Sequence, residues 1–293
     1  MQVIETIDEM RAARRGWAGE TVGLFPTMGY LHAGHLSLVE RARAENGHVI
    51  VSIFVNPTQF APTEDLSRYP RDLPRDLAML EAAGVDVVFT PSADAMYPPG
   101  YATYVEPSGM LAERLEAATR PSHFRGVATV VTKLFQIVAP DNAYFAQKDA
   151  QQVAVVRRLV ADLNLPLAVR VLPIVREADG LAMSTRNKYL GPEDRAAAVV
   201  LNRALQAGAA AFDSRPAGGV AAVIAAMTQV VAGEPRAQLD YADICDPDNF
   251  APLTELRPPA LLAIAAKVGP ARLIDNFLLR ADGTWEKGVT VAL

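Results

Sequence analysis

The sequence predicts an α/β protein in which helices flank a parallel β-sheet and a smaller α+β domain follows. Three observations predict this fold class. Continuous apolar runs at residues 22–25 and 48–56 are typical of strands that are buried on both faces, as in parallel sheets. Helical patterns of apolar residues alternate with such runs as far as residue 177. After residue 192 the alternation stops, and two alanine-rich helices precede strands with hairpin spacing.

The elements of the first domain follow from the apolar patterns and their stop signals. Glycines at positions 16, 47 and 84 end predicted helices. In chain order we expect helices over residues 1–15, from 34, over 73–83, from 126 and over 149–165, and strands over residues 22–25, 48–56, 85–91, 142–146 and 168–177. Residues 92–109 are irregular and rich in proline and tyrosine, so we expect a wall of a binding site or a subunit contact there.

The change of pattern at residues 187–192 predicts a domain boundary. We expect residues 1–186 to form the parallel-sheet domain and residues 187–293 to form the α+β domain. The elements expected in the second domain are helices over residues 193–212 and 216–232 and strands over 238–246, 261–269 and 271–279. The second domain carries few candidate catalytic groups, and because it follows directly after the cationic loop, its expected role is that of a lid or a substrate cover.

Composition limits the classes of protein that the chain can belong to. The 293 residues are 51% hydrophobic and 21% charged, as expected of a compact core. A single cysteine, Cys245, excludes an intramolecular disulfide, and no Cys/His cluster has metal-ligand spacing. The net charge of −5 argues against general nucleic-acid binding, and no apolar run predicts a membrane span or a signal peptide. We therefore expect a cytoplasmic protein without nucleic-acid or membrane partners.

The stretch GLFPTMGYLHAGHLSL, residues 23–38, predicts a strand, a glycine-containing turn and a helix. The first turn of a helix presents unpaired backbone N–H groups and the positive end of the helix dipole, which together favour an anion. His32 and His35 add hydrogen-bond donors at a spacing that lets both rings point the same way. The pattern indicates a phosphate site, although both histidines could also be ordinary polar residues of a surface turn.

Polar residues at the ends of other predicted strands point to the same edge of the sheet, where ligands bind in open α/β folds. Gln59 follows the second apolar run, and Lys148 and Gln152 follow residues 142–146. Basic and hydroxyl-bearing residues follow in two further places, at Arg120, His123 and Arg125 and at Ser184, Thr185, Arg186 and Lys188, as suits a carboxylate or phosphate ligand. For each of these residues a solvated turn remains the alternative.

Five segments, taken in this order and spacing, resemble one known family: PTMGYLHAGHLSLV, VNPTQF, RPSHFRGVATVVTKLF, QKDAQQ and LAMSTRN. The family is that of the pantoate–β-alanine ligases, or pantothenate synthetases, and the resemblance covers residues 3–274. The H-x-G-H segment alone indicates only the wider superfamily of nucleotidyltransferases with a HIGH-type signature. The resemblance implies a Rossmann-like sheet and the ATP-dependent condensation of (R)-pantoate with β-alanine to pantothenate, AMP and pyrophosphate, through a bound pantoyl adenylate.

The resemblance also implies which residues act. One expected ATP-binding segment is Met28, Gly29, Tyr30, Leu31, His32, Ala33, Gly34 and His35, with His32 and His35 on the phosphates and His35 as the proton donor. The other expected ATP contacts are Ala146, Gln147, Lys148, Asp149, the backbone of Val175, and Met183, Ser184, Thr185 and Arg186. Pantoate is expected at Gln59, Gln152, Arg120 and His123, and β-alanine at Gln59. The expected catalytic residues are His32, His35, Lys148, Ser184 and Arg186.

The same resemblance implies Mg²⁺ together with ATP, Asp76 as a residue that could approach the ion, and a homodimer. Three positions depart from the family pattern, which commonly has glycine at Ala146, an aromatic residue at Ala150 and serine at Thr185. Alanine at position 146 could crowd the ribose, since glycine allows closer approach and more backbone conformations. Two alternatives therefore remain, another HIGH-type nucleotidyltransferase and a non-catalytic nucleotide-binding paralogue.

Overall fold

The structure, a computed structural model, describes residues 1–62 and 64–291. The chain divides into two compact units, of which the first comprises residues 1–146 and 152–172. The second comprises residues 147–151 and the chain from Pro173 onward. Packing therefore groups residues 173–186 with the C-terminal part of the chain, while the predicted division into two domains at residue 186 stays a prediction.

A six-stranded parallel sheet forms the centre of the first unit. Its strands are β1 (Gln2–Ile4), β2 (Val22–Thr27), β3 (His48–Ile53), β4 (Val87–Phe89), β5 (Asn142–Ala146) and β6 (Ala168–Leu172). They lie in the order β1-β4-β3-β2-β5-β6, and every neighbouring pair is parallel. Because β2 and β3 are neighbours, the turns that follow them leave the same edge of the sheet side by side.

Helices connect the parallel strands. They are α1 (Ile7–Gly16), α2 (Ala33–Glu45), α3 (Leu73–Ala82), α4 (Ala93–Met96), α5 (Met110–Glu113), α6 (Glu116–Thr119), α7 (His123–Val138) and α8 (Ala150–Asp162). Helix α2 buries Leu38, Val39 and Ala42 in a cluster that includes Val49 and Val51 of β3. This apolar contact fixes α2, which begins directly after His32, since full burial of a leucine or valine side chain such as Leu38 or Val39 contributes roughly 1.5–3 kcal/mol.

Three predictions for the first part of the chain differ from the structure, and in one of them residues 93–96 of the stretch expected to be irregular form the short helix α4. Residues 2–4 form β1 rather than a helix, because Ile4 pairs with Phe89 of β4 in the buried sheet and Thr6 caps the helix that starts at Ile7. The predicted strand over 168–177 is two strands, β6 and β7 (Val175–Arg176). The break falls at Pro173, which lacks the N–H that a sheet ladder needs.

An antiparallel sheet and three helices build the second unit. The sheet contains β8 (Ala237–Cys245), β9 (Ala260–Val268), β10 (Ala271–Leu279) and β11 (Trp285–Glu286), in the order β11-β10-β9-β8. The helices are α9 (Pro192–Ala197), α10 (Val200–Ser214) and α11 (Gly219–Ala232), so the helix predicted over 193–212 is in fact two. Strand β7 pairs in parallel with β12 (Val289–Thr290). A parallel sheet with helices and a smaller antiparallel sheet confirm the predicted fold class.

The core of the second unit lies between its helices and its sheet. Leu201 and Leu205 of α10 and Met227 of α11 pack with Leu262 and Ile264 of β9, all of them fully buried or nearly so. This apolar layer makes β9 and β10 a rigid support for side chains at their ends. Among the described residues, no helix combines the length and the apolar character needed to cross a membrane.

Candidate active site

The turn after β2 is held by a buried carboxylate from α3. Gly29 and Tyr30 have positive φ angles of 86° and 54°, and this conformation turns two backbone N–H groups toward Asp76. The Tyr30 N–H donates to Oδ2 of Asp76 at 2.6 Å and the Leu31 N–H donates to Oδ1 at 2.8 Å. Asp76 is only 1% exposed. The family resemblance implies that Asp76 could approach Mg²⁺, and in the structure its carboxylate anchors the turn.

Glycine is required at position 29 for two reasons. Its φ of 86° lies in the left-handed region, which side chains with a Cβ rarely adopt. A Cβ there would also lie 3.0 Å from Oδ2 of Asp76. Next to this contact, Arg75 donates to the Leu31 carbonyl at 3.0 Å and its guanidinium lies 5.3 Å from the centre of the Tyr30 ring. The turn is therefore fixed on both its N–H and its C=O sides.

The two histidines of the H-x-G-H segment lie together at the start of α2. Their rings are stacked, with centroids 3.8 Å apart and planes at 24°. The His32 N–H donates to Nδ1 of His35 at 3.3 Å, so Nδ1 is an acceptor and the neutral ring of His35 carries its proton on Nε2. This arrangement presents Nε2 of His35 as a hydrogen-bond donor beside the helix N-terminus, as the phosphate prediction requires.

The turn after β3 (Pro57–Gln59) is organised by Asn56. Asn56 is 1% exposed, and its Nδ2 donates to Oε1 of Gln59 at 3.0 Å and to the carbonyl of Gly126 at 3.1 Å. Its Oδ1 accepts from the Tyr97 hydroxyl at 2.8 Å. The Gln59 amide in turn lies 3.4 Å from Sδ of Met28, in the turn after β2. The structure thus brings together two predicted site residues, Met28 and Gln59, and adds Asn56, which sequence analysis missed.

Helix α7 approaches the Gln59 turn closely enough to require glycine. A Cβ on Gly126 would lie 2.5 Å from the Thr58 carbonyl and 2.6 Å from the Gln59 nitrogen. No side chain fits between these two backbones, so the helix and the turn form one rigid body of the first unit. The sequence shows this glycine in the segment RPSHFRGVATVV, but only the tertiary structure shows why glycine is needed there.

His123 and Arg120 hold the backbone of Gln59. Nδ1 of His123 lies 3.0 Å from the Gln59 carbonyl, and Nε2 lies 3.1 Å from Nη1 of Arg120. Since arginine can only donate, Nε2 accepts and Nδ1 carries the proton that it donates to the carbonyl. Burial, followed by the charge of Arg120, lowers the pKa of His123 to about 4, so this ring is neutral at pH 7.

The carboxylate that Arg120 binds in the structure is that of Glu64. Nε and Nη2 of Arg120 donate to the two Glu64 oxygens at 2.7 and 2.8 Å. The third basic residue of the predicted cluster, Arg125, is exposed and lies over the Tyr104 ring at 3.8 Å. These contacts make Arg120 and His123 supports for Gln59. The predicted pantoate residue Gln152 lies on α8 and is half-buried.

In the second unit, Lys148 and Asp149 lie on a short 3₁₀ turn (Gln147–Asp149). Nζ of Lys148 is 3.3 Å from Oδ1 of Asp149. Asn276 of β10 donates through Nδ2 to the carbonyls of Gln147 and Lys148, each at 3.0 Å. Sequence analysis did not find Asn276, because its partners are more than a hundred residues away along the chain.

The remaining predicted ATP contacts of the second unit are neighbours. The Met183 N–H donates to the carbonyl of Val175 at 2.9 Å, which joins two of them directly. Ser184 caps the next 3₁₀ turn (Thr185–Tyr189), and its Oγ accepts from the Arg186 N–H at 3.3 Å. Thr185 is buried within this turn. The serine and arginine predicted to meet phosphate are therefore held on one short, capped segment.

The described part of the chain contains no group of three or more His, Cys, Asp or Glu side chains that could hold a metal ion. The two histidines with H-x-x-H spacing are stacked on each other, and Asp76 uses both of its oxygens on the turn. Within the first unit, the turn after β2 and the start of α2 thus offer N–H donors to an anionic ligand.

Comparison with known proteins identifies the family to which this chain belongs. The sequence profile described as pantoate-beta-alanine ligase matches residues 2–278. This chain belongs to the pantoate-beta-alanine ligase family. A pantothenate synthetase of Roseiflexus castenholzii is 60% identical to it over 281 residues, which cover 96% of this chain and 100% of the relative. The predicted family and its ligase activity are confirmed.

Solved structures of ligases from the same family share the fold. The pantothenate synthetase of Thermus thermophilus has a TM-score of 0.89 and 49% identity, with 94% of this chain and 98% of that chain covered. The pantoate-beta-alanine ligase of Francisella tularensis, crystallised with beta-gamma ATP and beta-alanine, has a TM-score of 0.78 and 35% identity, with 95% and 97% covered. Both similarities extend over nearly the whole chain.

Proposed function

We propose that the protein condenses pantoate with β-alanine at the expense of ATP, through a pantoyl adenylate that stays bound until the amine attacks. The observation that carries the proposal is the anchored H-x-G-H turn, with a proton on Nε2 of His35, in a chain of this family. A carboxylate resists attack by an amine in water, so the reaction needs a better leaving group on the acyl carbon. Transfer of AMP to the pantoate carboxylate supplies it and releases pyrophosphate.

The first step builds negative charge on the departing pyrophosphate, and the proposed catalytic groups are donors to that charge. His32 and His35 act on the phosphates from the start of α2, with His35 Nε2 as the proton donor. Lys148, Ser184 and Arg186 are the other proposed donors to the phosphates, with Asp149 as the ribose contact and the backbone of Val175 as the adenine contact. Lys148 and Arg186 each lie on a short 3₁₀ turn, and Asn276 and Ser184 make hydrogen bonds to the backbone of those turns.

Gln59 is the proposed partner of pantoate, and of β-alanine in the second step. Its side chain already accepts from Asn56, and its backbone is held by His123 and Arg120. Gln152 is proposed as the second pantoate residue. Arg120 and His123 then act on pantoate through Gln59, since the Arg120 guanidinium binds the Glu64 carboxylate. In the second step the amine of β-alanine attacks the acyl carbon and AMP leaves.

Mg²⁺ is proposed as an ion that accompanies the triphosphate. The described side chains do not form a cage for it, and the carboxylate of Asp76 is committed to the Tyr30 and Leu31 N–H groups. Magnesium in nucleotide sites is commonly held by phosphates, water and few protein ligands. No step of the proposed mechanism is therefore routed through a protein-bound metal.

We further propose a cytoplasmic homodimer in which the domain beyond residue 186 acts as a lid or a substrate cover. The irregular stretch 97–109 suits a subunit contact, since Tyr97, Tyr101 and Tyr104 stack edge to face with centroids 5.0 and 5.3 Å apart. Aromatic side chains of this kind are enriched at protein interfaces. Sedimentation analysis of the wild-type protein and of Tyr104→Ala tests the dimer; a sedimentation coefficient at the monomer value for the wild-type protein would refute it.

The decisive experiment measures AMP release with ATP, pantoate and β-alanine, and with each component omitted in turn. We expect AMP release only when all three are present, and pantoate-dependent exchange of pyrophosphate into ATP without β-alanine. Tight ATP binding without pyrophosphate release would instead identify a non-catalytic paralogue, the alternative that Ala146 and Ala150 motivate. Nucleotidyl transfer to a phosphorylated acceptor, with no response to β-alanine, would identify another HIGH-type transferase.

A further inference from the structure

Asn276 lies at the centre of a buried polar network in the second unit. The residue is 3% exposed, and both of its Nδ2 hydrogens are used, one on the Gln147 carbonyl and one on the Lys148 carbonyl, each at 3.0 Å. Its Oδ1 accepts from Nε2 of Gln147 at 3.3 Å. A single amide thus satisfies two consecutive backbone carbonyls and the side chain of the first residue.

The network continues behind Asn276 to the strand of Val175. The Asn276 N–H donates to Oδ1 of Asp275 at 2.8 Å, and Asp275 receives a two-point ion pair from Arg176 at 2.7 and 2.8 Å. Arg176 also donates to the Gly180 and Lys287 carbonyls. Arg176 directly follows Val175, the proposed adenine contact, so one set of hydrogen bonds links that strand to the Lys148 turn.

We propose that Asn276, backed by the Arg176–Asp275 pair, is a positioning residue that sets the location of Lys148 for phosphate transfer. This inference rests on the proposed function of Lys148. A lysine side chain is long and flexible, so its ammonium group can be placed accurately only if its backbone is fixed. Asn276 fixes that backbone with two N–H donors, which an ionised acidic residue at this position would lack. A displacement of about 1 Å in such a group can lower a rate by about 100-fold.

The sharpest variant is Asn276→Asp, which keeps the shape of the side chain but replaces the Nδ2 donor with an oxygen that faces both carbonyls. Asn276→Ala removes the bonds without adding repulsion, and it serves as a second variant if the first does not fold. The matched control is Asn249→Asp, the same chemical change at an exposed position of the second unit, where Oδ1 accepts from the Ala251 N–H and an aspartate oxygen can do the same. Thermal unfolding of each protein shows which variants are folded at the assay temperature.

The experiment follows single-turnover release of labelled pyrophosphate, over hours for slow variants, in four proteins: wild type, Asn276→Asp, Lys148→Ala and the double variant Lys148→Ala/Asn276→Asp. We expect about a 100-fold loss for Asn276→Asp in the wild-type background and less than about a threefold further loss once Lys148 is absent. KM for pantoate and the rate of Asn249→Asp should not change. Asn276→Ala should lose about tenfold with the same dependence on Lys148.

Two outcomes would overturn the inference. One is a wild-type rate in folded Asn276→Asp or Asn276→Ala, and the other is an equal loss with and without Lys148, which is what general destabilisation produces. Absence of β-alanine-dependent AMP release from the wild-type protein would refute the proposed function itself. Failure of the inference and failure of the proposed function are therefore distinguishable, because the inference is tested only against a wild-type protein that is active.

Discussion

The turn after β2 and the turn after β5 are held in opposite ways. In the first, the carboxylate of Asp76 accepts from the N–H groups of Tyr30 and Leu31. In the second, the amide of Asn276 donates to the carbonyls of Gln147 and Lys148. Both holding residues are almost fully buried, and both come from distant parts of the sequence. The difference follows from which backbone groups each turn leaves unpaired.

This difference has a chemical consequence for the groups that the turns carry. A carboxylate beneath the first turn is tolerable because two N–H groups donate to it. A carboxylate in place of Asn276 would face two carbonyl oxygens and could donate to neither of them. Asp76→Asn and Asn276→Asp should therefore damage the two turns for opposite reasons. The first leaves a backbone N–H without an acceptor, and the second leaves two carbonyls without a donor.

The largest expected effects on activity come from removing the proposed catalytic side chains. His35→Ala and Lys148→Ala should each lower kcat/KM for the adenylation step by about 100- to 1,000-fold, equal to about 3–4 kcal/mol of transition-state stabilisation, because each removes one preorganised donor. Pyrophosphate release measures the loss, and circular dichroism checks the fold. Lys267→Ala, which changes an exposed lysine of β9, is the control. Near-normal turnover in either site variant would contradict its assigned role.

Asp76→Asn tests the first anchor. One of the two N–H groups would face the NH2 group of the new asparagine, which cannot accept a hydrogen bond, so a buried donor loses its partner, at a cost of about 1–3 kcal/mol in the free energy of unfolding. The displaced turn should also raise KM for ATP. Urea unfolding and ATP titration measure the two effects. Asp72→Asn is the matched control, since asparagine caps the start of α3 as well as aspartate does. Equal stability of wild type and Asp76→Asn would show that the anchor is dispensable.

His123 supports the turn after β3, and it makes the free energy of unfolding of the protein depend on pH. Its folded pKa of about 4 lies below its ordinary value of 6.5, so the unfolded chain binds a proton that the folded chain does not. This contribution is present above pH 6.5 and is lost as the pH falls toward 4, by about 2 kcal/mol between pH 7 and pH 5. Urea unfolding of wild type and His123→Asn at both pH values isolates it. An identical pH dependence in the two proteins would refute the assignment.

Gln59→Ala should have the smallest effect, and it tests whether the turn after β3 binds pantoate rather than ATP. Loss of one hydrogen-bonding side chain costs about 1 kcal/mol, and we expect it in pantoate binding rather than in ATP binding. Calorimetric titration with each substrate separates the two. Gln229→Ala, on the exposed face of α11, should change neither. A larger loss for ATP than for pantoate would reverse the assignment of the turns.

Local patterns in the sequence determined much of this protein: the alternating buried strands and helices, the glycine turn before His32 and His35, and the motifs that indicate a pantoate–β-alanine ligase. Other features were decided only by the tertiary structure. Residues 2–4 look helical by spacing, but pairing with β4 makes them a strand, and Pro173 sends Val175 into a different sheet. Asp76 and Asn276 carry no local signal, because a hydrogen bond to a backbone group 45 or 129 residues away leaves no periodicity along the chain.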